Sequence, residues 1–273
     1  MEKFVLKKNQ LYKPRADVRK GENGQVVIIG GSKLFHGAPL LSLKVASRIV
    51  DMVFFSSPEP SVGRVAENLK SKLFSFIWVP WGEVGEYIKK SDAVLIGPGL
   101  MRYRREMKND LDETGKRSKE ITEKLLSQFP NKQWVIDAGS LQVMDPKFIP
   151  KNAILTPNKM EYQMLFGEIE PEEAAKKCQC IIIAKNKETK ACSPRESRII
   201  EGGEGSLTKG GVGDVLAGLA VSLAAKNPPF LAACAASWLS QRAAGELYQK
   251  VGVVCNADDL AEKIPEVLGK YIC

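Results

Sequence analysis

Short, almost wholly apolar runs alternate along this chain with longer stretches in which apolar residues recur every three or four positions. The apolar runs cover residues 25–30, 52–55, 74–79, 93–97, 134–137, 153–156 and 180–184. Several are continuous in Val, Ile, Leu and Phe, the pattern of strands buried on both faces. The stretches between them, 38–50, 84–90, 119–129, 160–166 and 172–177, carry helical spacing. Such alternation predicts a mostly parallel sheet with helices on both sides. After residue 184 the pattern changes. Residues 187–200 read as a hairpin turning near Ser193-Pro194, and three helices follow over 215–225, 230–250 and 258–269. Asn227-Pro228-Pro229 separates the first of these from the second. With no internal repeat and no linker-like stretch, residues 1–273 read as one domain, and residues 1–20 as a loosely docked basic arm.

The segments richest in chemistry fall just after predicted strands, where open parallel sheets bind ligands. Gly30-Gly31-Ser32 follows the first run, Gly97-Pro98-Gly99 the fourth, Asp137-Ala138-Gly139 the fifth and Thr156-Pro157-Asn158 the sixth.

Composition narrows the possibilities. A 44% hydrophobic content supports a real core, and no apolar run approaches the ~18 residues of a membrane helix. The N-terminus has no apolar signal region, so a cytoplasmic protein is expected. The six cysteines form no CxxC pair, and a single histidine leaves zinc chemistry and a Ser/His/Asp triad little support. The net charge of +8 raises nucleic-acid binding, but the densest basic segment, 102–119, interleaves acids rather than aromatics. No nucleic-acid partner is expected; attraction of a nucleotide explains the balance. The Ala-rich helix over 230–250, with Trp238 and Tyr248, suits core packing or a homo-oligomer.

The most informative stretch is Lys209-Gly210-Gly211-Val212-Gly213-Asp214-Val215-Leu216-Ala217-Gly218. It predicts a loop of unshielded N–H groups feeding a helix N-terminus, a natural phosphate site. Asp214 beside an anion hole suits a base taking a proton from a hydroxyl that attacks phosphorus. Glycines before a helix also make plain turns, and an acid in a first turn also complements the dipole. Asp137, at a strand end, reads as a cap of the following turn, and His36 as a loop residue.

Taken in order, these motifs resemble the NAD(P)H-hydrate dehydratase family, nucleotide-dependent repair enzymes of ribokinase-like fold. The landmarks are Gly30-Gly31-Ser32 with Gly37-Ala38-Pro39, Gly97-Pro98-Gly99-Leu100, Asp137-Ala138-Gly139-Ser140-Leu141, Thr156-Pro157 with Glu161, and the glycine loop. The resemblance implies a three-layer α/β/α fold. It implies that ADP or ATP phosphorylates the ring hydroxyl of hydrated NADH or NADPH, and that phosphate then leaves to restore the cofactor. Asp214 would be the base, with the N–H groups of Gly211, Val212 and Gly213 around the transferring phosphoryl. Ala38, Gly99 and Asn158 would line the substrate site. Lys185, Asn186, Lys187, Glu188 and Thr189, with Gly213, would lie along the adenine nucleotide. Glu161, in an Asn-x-x-Glu pattern, would help hold Mg2+. The chain departs from the family at Asn158 (usually His), Asn186 (usually Gly), Ser206-Leu207 (usually Gly-Met) and Gly139 (usually Asp). Two alternatives stay open: a ribokinase-like kinase of a small alcohol, and a nucleotide-binding protein without catalysis.

Overall fold

The computed structural model describes residues 1–102, 113–185, 188–202 and 209–272. In chain order the elements are β1 (Glu2–Phe4), β2 (Gln25–Ile29), α1 (Gly37–Ala46), β3 (Met52–Ser56), α2 (Pro60–Leu69), β4 (Ile77–Trp78), α3 (Val84–Lys90), β5 (Ala93–Ile96), α4 (Glu113–Gln128) and β6 (Gln133–Ile136). There follow α5 (Ala138–Val143), β7 (Ile154–Leu155), α6 (Lys159–Phe166), α7 (Pro171–Cys178), β8 (Ile181–Lys185), β9 (Thr189–Cys192), β10 (Ser197–Ile200), α8 (Val212–Ala224), α9 (Pro229–Val251) and α10 (Ala257–Ile272).

The strands form one sheet ordered β1-β10-β9-β8-β7-β6-β5-β2-β3-β4, with β4 to β8 pairing in parallel. Only the β8-β9-β10 meander is antiparallel among the described pairs. The apolar runs have the expected consequence: successive residues of one strand feed opposite cores. Val26 and Ile28 join the core under α1, α2, α8, α9 and α10, while Val27 and Ile29 join the core under α3 to α7. Leu95 and Ile96, and Ile183 and Ile182, divide in the same way. The result is the three-layer α/β/α arrangement.

From β2 the chain runs outward through β3 to β4, then returns to β5 on the other side of β2. Loops leaving β2 and β5 therefore diverge, which opens a crevice at their C-terminal ends. Gly31 N–H donates to Pro98 O at 2.8 Å across it, and a Cβ on Gly30 would sit 2.1 Å from that same oxygen. Glycine is required there because two backbones touch.

Several local expectations are corrected. The first part of the arm over residues 1–20 is docked, whereas residues 13–17 are exposed: β1 pairs with β10, Leu6 and Leu11 are buried, and Asn9 N–H donates to Tyr271 O. Its two leucines have an apolar surface to cover, which the basic composition hid. Helix α1 ends at Ala46 rather than residue 50, where Ser47 Oγ turns back to the Lys44 carbonyl. The run at 74–79 contributes only Ile77–Trp78 to the sheet edge, with Phe74 exposed. Helix α2 is an element that the apolar spacing does not predict, although a local signal is present, Glu59 capping Ser61 N–H with Pro60 in the first turn. Among the described residues helix α4 is already helical at Glu113, six residues before the expected start.

Candidate active site

Parallel strands bring their C-terminal ends to one edge, and here β6, β7 and β8 are neighbours. Residues following three separate apolar runs thus converge: Asp137 after β6, Thr156 after β7 and Lys185 at the end of β8. Thr156 Oγ1 donates to Asp137 Oδ1 at 2.5 Å, and Lys185 Nζ lies 3.9 Å from that oxygen. The Asp137 carboxylate is almost wholly buried. It sits at the start of α5 but makes no side-chain cap to that helix, so the expected capping role is corrected. Asp137 is the main residue that sequence reading missed, because its partners lie on other strands. Ala138 beside it has φ +46°, a conformation uncommon outside glycine.

Helix α8 supplies the opposite wall. Gly211 occupies its N-cap with φ +91° and offers no side chain to the first turn. A Cβ there would meet Leu41 at 2.5 Å and Ala257 at 2.9 Å, so the helix start is wedged between α1 and α10. Val212 N–H turns back to Lys209 O at 3.3 Å. The first helical turn carries N–H groups that lack intrahelical acceptors, with the positive end of the dipole behind them. Lys185 Nζ lies 3.5 Å from where a Gly213 Cβ would be, placing a second positive group at this turn. Ser42 Oγ donates to the Asp214 carbonyl at 2.7 Å, and a Cβ on Gly218 would strike Ser42 backbone at 2.6 Å. Helices α1 and α8 are thereby locked together at contact distance.

Asp214 and Asp137 face one another electrostatically. Burial raises the Asp214 carboxyl to about 7, and the nearby Asp137 charge adds to the rise against the pull of Lys185. Burial also raises Asp137 to about 6, opposed by Lys185 and by the Thr156 hydrogen bond, with Glu161 adding to the rise. A buried acid raised toward neutrality at a helix N-terminus meets the expected condition of a general base.

Asn158 and Glu161 form a capping box at the start of α6. Asn158 Oδ1 accepts from Glu161 N–H, and Glu161 Oε2 accepts from Asn158 N–H, both at 2.9 Å. Glu161 Oε1 also accepts from Gln142 Nε2 at 3.0 Å. Among the described residues, no group of three or more His, Cys, Asp or Glu side chains is placed to hold a metal ion. Ala38 and Gly99 do come together: a Cβ on Gly99 would lie 3.3 Å from that of Ala38, and Gly99 has φ +70°. Lys185 and Thr189 are cross-strand partners in the β8-β9 hairpin, which explains their spacing, and Glu188 in its turn is exposed. Asn186 and Lys187 lie outside the described residues.

Two cavities flank this edge. One of about 430 Å³ lies beside Asn158, Tyr162 and Lys185 under α6 and α7. Another of about 330 Å³ lies beside Gly31, Leu100 and Ile121, between the β2 and β3 loops and α4.

Residues 26–266 match a family model described as NAD(P)H-hydrate dehydratase. A bifunctional NAD(P)H-hydrate repair enzyme of Methanocaldococcus jannaschii is 34% identical over 94% of this chain and 50% of its own length. The chain spans about half the length of the bifunctional relatives it matches. An ADP-dependent (S)-NAD(P)H-hydrate dehydratase of Nitrosopumilus maritimus is 29% identical, covering 93% of this chain and 91% of its own. Among solved structures, an ADP/ATP-dependent NAD(P)H-hydrate dehydratase of Bacillus subtilis, co-crystallised with ATP/Mg2+, superposes with a TM-score of 0.77. It is 23% identical, with 96% of this chain and 95% of that one covered. A ribokinase of Arabidopsis thaliana superposes with a TM-score of 0.53 at 12% identity, over 90% and 98% of the two chains, so the ribokinase-like fold extends to distant kinases. With the family model spanning nearly all of the sheet and every helix from α1 to α9, this chain belongs to the NAD(P)H-hydrate dehydratase family.

Proposed function

We propose that this chain restores hydrated NADH or NADPH by nucleotide-dependent dehydration. The observation that carries the reading is Asp214, raised to about 7 in the first turn of a helix whose N-terminus faces the Lys185 ammonium. Family membership supports the same chemistry. In this reading Asp214 takes the proton of the ring hydroxyl while that oxygen attacks the terminal phosphorus of ADP or ATP. The new O–P bond forms as the bond to the leaving AMP or ADP breaks. The ring C–O bond then breaks, phosphate departs, and a proton lost from the adjacent ring carbon leaves the C=C bond of the restored cofactor. Lys185 and the first-turn N–H groups of α8, those of Gly211 and Gly213 beside Val212, hold the charge of the transferring group. In this reading the nucleotide lies along residues 185–189, where Lys185 pairs with Thr189 across the β8-β9 hairpin.

Ala38 and Gly99 offer small residues against which a nicotinamide ring can approach the backbone. Asn158 reaches the substrate through its amide nitrogen, since its oxygen is committed to the cap. A hard cation that binds through phosphates and keeps its waters fits a site of few carboxylates. Mg2+ would be held by the nucleotide and, through water, by Glu161, whose oxygens already accept hydrogen bonds; when bound it would neutralise phosphate charge.

The chain is further proposed to act as a single domain, as a homo-oligomer, in the cytoplasm and without nucleic acid. No helix among the described residues is long and apolar enough to cross a membrane. Exposed Tyr248, Val251, Val253 and Val254 at the end of α9 support self-association, which light scattering would measure.

The test is a recovery assay. Purified protein, hydrated NADH or NADPH, Mg2+ and either ADP or ATP are mixed, and reduced-nicotinamide absorbance is followed. Nucleotide-dependent recovery with released phosphate supports the reading and names the donor. A stable phosphorylated product of a small alcohol instead points to a kinase. Nucleotide binding with no turnover of any substrate points to a non-catalytic protein.

A further inference from the structure

Helices α1 and α8 carry two sides of the proposed site. Helix α1 begins at Gly37 and bears Ala38, the small residue against which the ring would lie. Helix α8 bears Asp214 in its first turn. The distance from the ring hydroxyl to the base is therefore set by how these two helices pack. They touch at three levels. A Cβ on Gly211 would meet Leu41 of α1 at 2.5 Å. Ser42 Oγ donates to the Asp214 carbonyl at 2.7 Å. A Cβ on Gly218, one turn further along α8, would lie 2.6 Å from the Ser42 backbone. The first and last of these contacts are steric and limit only how closely the helices approach. The hydrogen bond is directional and fixes where along α8 the serine sits.

A serine inside a helix commonly returns its hydroxyl to the carbonyl four residues back. Ser118 in α4 and Ser222 in α8 do so, to Thr114 and Gly218. Ser42 crosses to the other helix instead, although Ala38 stands four residues back in its own. Ser42 is fully buried, so water does not compete for its hydroxyl. The Asp214 carbonyl lies inside a helix and has the N–H four residues on as its regular partner. The hydroxyl is therefore not needed to satisfy an orphaned acceptor. What it adds is position.

We propose that Ser42 is a positioning residue for the reaction. Its hydroxyl sets the base-bearing turn of α8 against the start of α1, one helical turn from Ala38 and on the same face. The inference rests on the dehydration reading above. Proton transfer needs its heavy atoms about 2.6–3.2 Å apart. Misplacement by about 1 Å costs on the order of 10²-fold in rate. A hydroxyl that fixes this spacing without touching substrate acts on kcat and leaves binding alone.

Ser42→Ala and Ser222→Ala test it. Each removes one buried hydroxyl bonded to an α8 carbonyl, but Ser222 bonds within α8 itself. Turnover is measured below the Tm of each variant, with KM for hydrate and for donor nucleotide and the pH–rate profile. Ser42→Ala should lower kcat about tenfold, with both KM values within about twofold of wild type and the acid limb of the profile in place. Ser222→Ala should keep wild-type kcat. Wild-type kcat in Ser42→Ala, a loss confined to KM, or an equal fall of kcat in Ser222→Ala overturns the assignment. Should Ser42→Ala fail to fold, Ser42→Cys is read in its place, since a thiol keeps the size and is only a weak donor. A several-fold fall in its kcat at unchanged KM retains the role, and wild-type kcat overturns it. If the wild-type chain turns over no hydrate, the dehydration reading fails instead, and crystal structures of wild type and Ser42→Ala decide the coupling. An Ala38-to-Asp214 separation that shifts retains it, and one that stays overturns it.

Discussion

Lys185 Nζ stands 3.9 Å from Asp137 Oδ1, although 47 positions separate the two residues in the chain, because β6 and β8 end side by side across β7. The pair links the β8-β9 hairpin to a buried carboxylate that itself bears on Asp214. Removing the Asp137 charge takes away one cause of the raised Asp214 carboxyl and frees Lys185 to act on it alone. In Asp137→Asn, the acid limb of the pH–rate profile should therefore move down from near pH 7 by about one pH unit. A limb that stays in place would mean Asp137 does not tune the base.

Asp214→Asn keeps the size of the side chain and removes its basicity. Turnover should fall by about 10²–10⁴-fold, the usual contribution of a positioned base. Nucleotide affinity, measured by titration calorimetry, should change only a few-fold, since the N–H groups and Lys185 remain. Near-normal single-turnover rates in this variant would sink the mechanism.

The same residue predicts a stability effect. Folded Asp214 and Asp137 ionise near pH 7 and 6, against about 3.9 for an unfolded aspartate. The folded state thus holds more protons between these values, and stability falls as pH rises from about 4 to about 7. Asp214→Asn removes its share of that loss. Its Tm should exceed wild type by a few degrees at pH 8 and match it near pH 4, as a pair of thermal melts would show.

Asn158 caps α6 and is proposed to contact substrate, and substitution separates the two roles. Asn158→Ala should lose the cap of α6 and about 1 kcal/mol of stability, visible in a denaturant melt. Asn158→Asp retains the capping oxygen and should recover that loss. If the amide nitrogen also touches substrate, Asn158→Asp will still show a raised hydrate KM.

Gly97 is held by geometry. Its φ is +122°, and a Cβ there would lie 1.8 Å from the Asp137 carbonyl oxygen. Gly97→Ala should cost about 3 kcal/mol or more and shift the Asp137 backbone, lowering Tm and turnover together. A variant with wild-type Tm would show that the β5–β6 edge can relax, against the close packing seen.

Much of this was legible in the chain. Strands buried on both faces cannot alternate polar residues, so the runs at β2, β3, β5, β6 and β8 declared themselves. The glycine loop before α8 declared itself because only glycine fits a left-handed N-cap pressed against Leu41 and Ala257. The Lys185-to-Thr189 spacing was readable only as a motif of the family it resembles; that the two residues pair across a β8-β9 hairpin came from the structure.

Other features had no local signature. Residues 1–20 look like a loosely docked arm because their charges are near in sequence, whereas the surfaces that bury Leu6 and Leu11 are far away in it. Asp137 looks like a turn cap because its neighbours in sequence are small, whereas Thr156 and Lys185 arrive from other strands. Gly139 reads as a lost acid, yet a Cβ there would lie 2.3 Å from the Leu100 carbonyl oxygen, so the backbone around it excludes a side chain.

The sequence by itself determined the layers, the order of the motifs and Asp214 at a helix start, because periodicity, glycine and helix-end chemistry are local properties. The tertiary structure alone decided that Asp137, Lys185 and Asp214 share one electrostatic environment. Burial and Coulomb interactions depend on distances through space, and those follow from the order of strands in the sheet.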